Sequence, residues 1–187
     1  MRLHAAGDPV HHRGHVVAAT SLPMNLLGWL LGLVLPACAG VGAHGLPPPP
    51  PMDMTHIVRP ASPNTALAAP AGFTPPPDLP TPVYPVPPAV LLAALRAVAA
   101  AAPRTYLAAS YPQRMQLDWV VRSAVWNFPD LVTGQVLADG AGAARLILYS
   151  RSVYGYGDFG VNRSRLQSWL AALAARIAHP DERPPPG

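Results

Sequence analysis

Arg145 to Leu173 reads RLILYSRSVYGYGDFGVNRSRLQSWLAAL. Leu146 and Leu148 oppose Ile147 and Tyr149 at a period of two, the pattern of a strand from Arg145 to Ser152. A Gly- and Tyr-rich loop follows. Asn162 is placed as a helix N-cap, and Val161 and Leu166 stand where a hydrophobic staple would pack. Leu166, Trp169, Leu170, Leu173 and Ile177 then recur at helical spacing. The chain's folded part thus closes with a strand, a turning loop and an amphipathic helix.

Upstream, Asp139-Gly140 with Gly142 is a turn, and Leu131 to Leu137 reads as another strand. Phe128-Pro129-Asp130 separates it from Gln116–Trp126, where Leu117, Trp119, Val121 and Val125 alternate with Asp118, Val120 and Arg122. That alternation describes a half-buried strand. Thr105 to Ser110 is a short strand, and Val90 to Ala101 an Ala- and Leu-rich helix ended by Pro103. The expected fold class is α+β. A small antiparallel sheet of three to four strands is flanked by an N-terminal and a C-terminal helix, with both helices on one sheet face. These elements place the domain at residues 89–180 and leave 181–187 as a disordered tail.

Proline marks the segment before it. Sixteen of the 26 prolines lie between Pro47 and Pro88, where they fix φ and remove backbone donors. Residues 46–88 therefore read as a Pro-rich tether, dispensable for folding. Pro47–Pro51 should form a polyproline II rod and Ser62-Pro63-Asn64-Thr65 a turn. The tether is a spacer or a ligand for a proline-binding groove.

Residues 1–45 read as a signal or membrane-anchor segment. No charged residue occurs from Gly14 to Ala43, and Met24–Leu35 is the apolar run MNLLGWLLGLVL, preceded by Arg2 and Arg13. Several outcomes fit. Leu35-Pro36-Ala37-Cys38 is similar to a lipoprotein cleavage box, which makes Cys38 a candidate for lipidation. Ala37-Cys38-Ala39 fits ordinary signal cleavage, and an uncut segment is long enough to span a bilayer of about 30 Å. A buried helix, or a start at Met24, also remains open. His4, His11, His12 and His15 cluster but have only Asp8 beside them, so no metal site is assigned.

Ser150, Arg151, Ser152, Gly155, Asp158, Gly160, Val161, Asn162, Arg163 and Arg165 form a pattern that resembles the bacterial and plastid family called domain of unknown function 1499. In that family Ser-Arg-Ser is followed by Gly, then Asp-x-Gly-Val-Asn, then Arg and an amphipathic helix. Phe128-Pro129-Asp130 matches a further segment, with Leu131 where a second acid is more usual. Ser62-Pro63-Asn64 resembles an upstream element that is often followed by Cys. The resemblance implies a fold and a common envelope association, and the N-terminal segment makes the expected location the bacterial cell envelope, periplasm-facing as a lipoprotein or by a membrane anchor. It implies no reaction.

The residues themselves limit the chemistry. From Ala89 to Ala178 there are nine Arg and four Asp, and no His, Cys, Glu or Lys. A Ser–His or Cys–His nucleophile cannot be assembled from that set, and no cofactor motif appears. The one polar constellation is Arg151, Ser152, Asp158, Asn162, Arg163 and Arg165. It reads either as a structural cluster, in which Asp158 pairs with an Arg and Asn162 caps the helix, or as an anion site. Two functions follow. One is a non-catalytic envelope module binding an anionic small molecule, lipid head group or protein. The other is an enzyme using Asp130 or Asp158 with Arg151, Arg163 and Arg165. The membrane is an expected partner through the N-terminal segment; nucleic acid is not.

Overall fold

The computed structural model describes residues 30–179 apart from 32, 45, 48 and 141. Its six-stranded sheet runs in the order β2-β1-β6-β5-β4-β3. In chain order these are β1 (Thr65–Pro70), β2 (Leu79–Thr81), β3 (Thr105–Tyr111), β4 (Gln116–Arg122), β5 (Pro129–Ala138) and β6 (Ala144–Ser152). Helix α1 (Pro88–Ala101) precedes β3, and helix α2 (Val161–Ala178) follows β6. Only β1 and β2 pair in parallel; the other pairs are antiparallel. The fold is α+β with a mixed sheet.

The sheet is larger than the three to four strands expected, because two strands come from the Pro-rich segment. Asn64 to Ala69 contains no proline, so β1 keeps its donors and pairs with β6 from Thr65↔Arg151 to Ala68↔Leu148. Strand β2 contains Pro80 but lies at the sheet edge, where a missing N–H need not break a ladder. Residues 46–88 are thus in large part folded domain rather than tether.

Both helices cover one face. Leu91, Leu95 and Val98 of α1 and Leu166, Trp169 and Leu173 of α2 meet Leu117, Trp119, Val132, Leu146 and Leu148 of the sheet. Trp119 and Trp169 pack edge to face, centroids 5.3 Å apart. Gly134 permits the close approach of α1, since a Cβ there would lie 2.9 Å from side-chain carbons of both Leu95 and Leu148. Such a contact forces displacement in a dense core.

The second face is covered too, so all seven residues of β4 are buried rather than half of them. Met54 and Ile57 close over Leu67, Ala69, Ile147 and Tyr149. The Gln116 amide, turned so that its nitrogen meets the Met52 carbonyl at 3.0 Å, also accepts from the Met52 N–H at 3.1 Å. Arg59 and Asp78 pair at 2.9 Å, and Asp78 accepts from the Leu67 amide at 2.8 Å. Strand β4 stops at Arg122, short of the expected Trp126. Residues 123–128 turn there, with the Ser123 and Phe128 backbones bonded at 2.9 Å and Asn127 at φ 55°.

Asp118 lies on this second face, 3% exposed. Burial pushes its carboxyl above the ordinary value of 3.8, against the Thr133 hydrogen bond and the Arg151 charge. The folded protein therefore holds this proton more tightly than the unfolded chain. The resulting stability is present at low pH and lost as pH rises through the folded value. Asp118→Asn keeps the shape without the titration. In urea melts from about pH 4 to about pH 7, the wild type should lose stability relative to the variant. A constant difference across that range would contradict the assignment.

Candidate functional site

The polar constellation assembles where β5, β6 and α2 meet. Arg165 Nη2 pairs with Asp130 Oδ2 at 2.6 Å, their side chains only 10% and 9% exposed. Arg165 Nη1 donates to Ser150 Oγ at 2.9 Å and to Asn162 Oδ1 at 2.7 Å. Asn162 Nδ2 lies 2.9 Å from the Asn64 carbonyl, 2.7 Å from Asp158 Oδ2 and 3.0 Å from Ser152 Oγ. Its two hydrogens thus serve three acceptors. Asn64 Nδ2 donates to the Gly155 carbonyl at 2.6 Å, and Ser62 Oγ donates to Asn64 Oδ1 at 2.8 Å. The network ties the entry to β1, the loop after β6 and the first turn of α2 into one unit.

Four of the six expected residues join this network: Ser152, Asp158, Asn162 and Arg165. Their roles differ from the expectation. Asp158 accepts the Gly160 amide at 3.0 Å and the Asn162 amide at 2.8 Å, so it caps α2 and pairs with no Arg among the described residues. Asn162 is the second residue of the helix and fully buried; Gly160, at φ 78°, occupies the N-cap. Val161 is half exposed while Leu166 is buried, so the staple does not form. Arg151 stands on the second face, across from Thr65 and Leu131. Arg163 is exposed on α2.

Arg122, buried at the end of β4, holds the segment before the domain. Nε donates to the Gly42 carbonyl at 2.7 Å, Nη1 to Ala37 at 2.6 Å and Asn127 at 3.1 Å, and Nη2 to His44 at 2.9 Å. Asn127 Nδ2 donates to the carbonyls of Cys38 at 2.7 Å and Gly40 at 3.0 Å. Burial pushes the guanidinium below its ordinary pKa. Cys38 lies in the 3-10 turn Pro36–Cys38 and is 0% exposed. Burial pushes its thiol up, with Arg122 opposing. Acylation of that sulfur requires the turn to leave its seat.

A cleft of about 540 Å³ opens at the same end of the sheet, between the C-terminus of α1, the first turns of α2 and the β3–β4 edge. Val98, Ala102, Val121, Trp169 and Ala172 give it apolar walls. Arg165 enters the wall already paired with Asp130. Arg104, at φ 52°, lines the cleft with its Nε donating to the Arg122 carbonyl at 3.0 Å. Sequence reasoning missed both Arg104 and Arg122. The alternation in β4 put Arg122 on its polar face, and the docked segment 37–44 supplies the carbonyls that Arg122 meets there.

Among the described residues no three His, Cys, Asp or Glu converge as a metal site, and no helix is long and apolar enough to cross a membrane. His4, His11, His12, His15, the run before Leu30 and the tail 181–187 lie outside the described residues.

Fold and site define a compact α+β domain whose final strand, loop and helix are locked by an Asp–Arg–Asn network. The chain belongs to the family described as protein of unknown function (DUF1499), whose model matches residues 58–173. That match begins inside the Pro-rich segment, ahead of β1. No curated protein matches the chain. The crystal structure of TTHA0849 from Thermus thermophilus is 14% identical, covering 63% of this chain and 99% of that one at a TM-score of 0.32. That likeness is too slight to carry an argument.

Proposed function

We propose that the chain is a non-catalytic, envelope-associated binding module whose cleft takes an anionic amphiphile, an apolar chain with a negatively charged head. The observation that carries this reading is the combination of apolar walls with Arg104. That side chain is exposed, and its terminal nitrogens have no acceptor among the described residues. A cleft of about 540 Å³ falls within the range of about 300–1,000 Å³ usual for small-molecule sites. The uncharged stretch from Gly14 to Ala43 supports the envelope assignment. The enzyme alternative has less support. The Asp130 and Asp158 side chains are engaged in the network, and neither lines the cleft.

The test is calorimetric titration with a long-chain fatty acid below its micellar concentration. We expect saturable binding with one ligand per chain. Ala172→Phe, which fills the cleft, should abolish it. Arg104→Ala should weaken it about tenfold or more, as loss of a charge-assisted hydrogen bond does. Equal binding of the matching uncharged alcohol, or full binding by Ala172→Phe, would reject the reading.

A further inference from the structure

The end of the domain where the cleft opens carries aromatic and apolar side chains that the core does not use. Phe159 is fully exposed at 105% and sits at φ 52°, a backbone region that bulky residues seldom occupy. Tyr156 in the same loop is 75% exposed, and Trp126 in the loop after β4 is 46% exposed. Ring contacts link the two loops: Trp126 stacks on Phe128 at 6.4 Å, and Phe128 meets Tyr154 at 6.2 Å. A solitary exposed apolar residue is ordinary, but several on adjoining loops mark an interaction surface.

Two observations identify what covers it. Arg122 and Asn127 clamp residues 37–44 against this end, so the apolar run before Pro36 joins the domain here. Leu33 and Val34, just before that segment, and Val41 within it are 83%, 76% and 62% exposed and add to the apolar surface. The exposed charged side chains at this end, Arg104 and Arg163, are cations; Asp130 is buried, and the half-buried Asp158 is matched by the Gly160 and Asn162 amides. Tryptophan and other aromatics favour the bilayer interface, and arginines favour its anionic head groups.

We infer that this end of the domain is a membrane-docking face, with Trp126, Tyr156 and Phe159 lodged at the interface of an anionic phospholipid bilayer. The cleft then opens towards the lipid, and α1 and α2 stand away from it by their far ends. Trp126, Tyr156 and Phe159 do not line the cleft, and Arg104 alone is common to cleft and face, so docking and amphiphile binding are tested by different variants.

The experiment uses the full chain with Cys38→Ser, reconstituted into vesicles of phosphatidylcholine and phosphatidylglycerol. An environment-sensitive fluorophore is attached through Phe159→Cys or Tyr156→Cys, and as a reference through Gln113→Cys, an exposed site in the β3–β4 turn at the opposite end. Lipid-borne quenchers placed near the head group should quench the first two labels several-fold more than the third. Adding Arg163→Glu should reduce that difference, and so should replacing phosphatidylglycerol by phosphatidylcholine. Equal quenching at the two ends overturns docking. So does a label at Phe159→Cys that responds to protein concentration without vesicles, which would mark contact with a second copy. If Ala172→Phe abolishes fatty-acid binding but leaves the quenching pattern intact, the cleft and the docking face are separate. A cleft that binds nothing leaves the quenching result to be judged alone.

Discussion

A chain beginning at Pro80 is expected to show no cooperative thermal transition, whereas one beginning at Leu46 should melt cooperatively. The shorter chain loses β1 entirely, with Ala66, Leu67, Ala68 and Ala69 all 0% exposed. Strand β1 stands between β2 and β6, so its removal bares one edge of β6 and strands β2. The same cut removes Asn64, whose carbonyl accepts from Asn162, and the Arg59–Asp78 pair. It also removes Met54 and Ile57 from the second face. Burying one Leu alone stabilises by about 1.5–3 kcal/mol, and a whole domain retains only about 5–15 kcal/mol. Losing a buried strand and the cover of a sheet face exceeds that margin. Circular dichroism melts of the two chains measure it. Cooperative unfolding of the Pro80 chain would mean that β1 is a docked peptide rather than a member of the core.

The reasons for legibility differ along the chain. The elements from α1 to α2 were readable because each buries a regular stripe: Leu117, Trp119 and Val121 at a period of two, Leu166, Trp169 and Leu173 at helical spacing. Strand β1 was not readable, because the prolines around it hid a run of only six proline-free residues, three of them alanine. Its burial depends on β6, some 80 residues away along the chain, and no local pattern records that. The site shows the same division. Asp158, Asn162 and Arg165 stood out in the sequence, but their partners could not be assigned from it. Asp158 is matched by adjacent amides, a local geometry. Arg165 is matched by Asp130, 35 residues upstream, and Asn162 by the Asn64 backbone, 98 residues upstream. Those pairings are consequences of sheet order. Arg122 was misread for a related reason: it lies on the polar side of β4 in sequence, and its partners come from residues 37–44, some 80 residues upstream.

Breaking the Asp130–Arg165 pair should be the most costly single substitution in the site. Both side chains are about nine-tenths buried and 2.6 Å apart, so neither charge can return to water without opening the junction of β5 and α2. Asp130→Ala leaves the guanidinium facing only the neutral Ser150 and Asn162 oxygens. Arg165→Met leaves the Asp130 carboxylate without its cation. Removing one partner of a buried pair costs about 3–5 kcal/mol, which is a large part of a domain's total. Replacing both, as Asp130→Leu with Arg165→Met, removes both desolvation costs together, and an apolar pair of similar volume is often neutral or better. The double variant should therefore lose much less than the sum of the singles, the mark of direct coupling. Chemical denaturation of the wild type, both singles and the double provides the measurement, with unchanged denaturant slopes showing that the folded state is retained. If each single substitution costs less than about 1 kcal/mol, as for exposed ion pairs, then water reaches the junction. The network would then be a solvated surface cluster rather than the lock that holds α2 to the sheet.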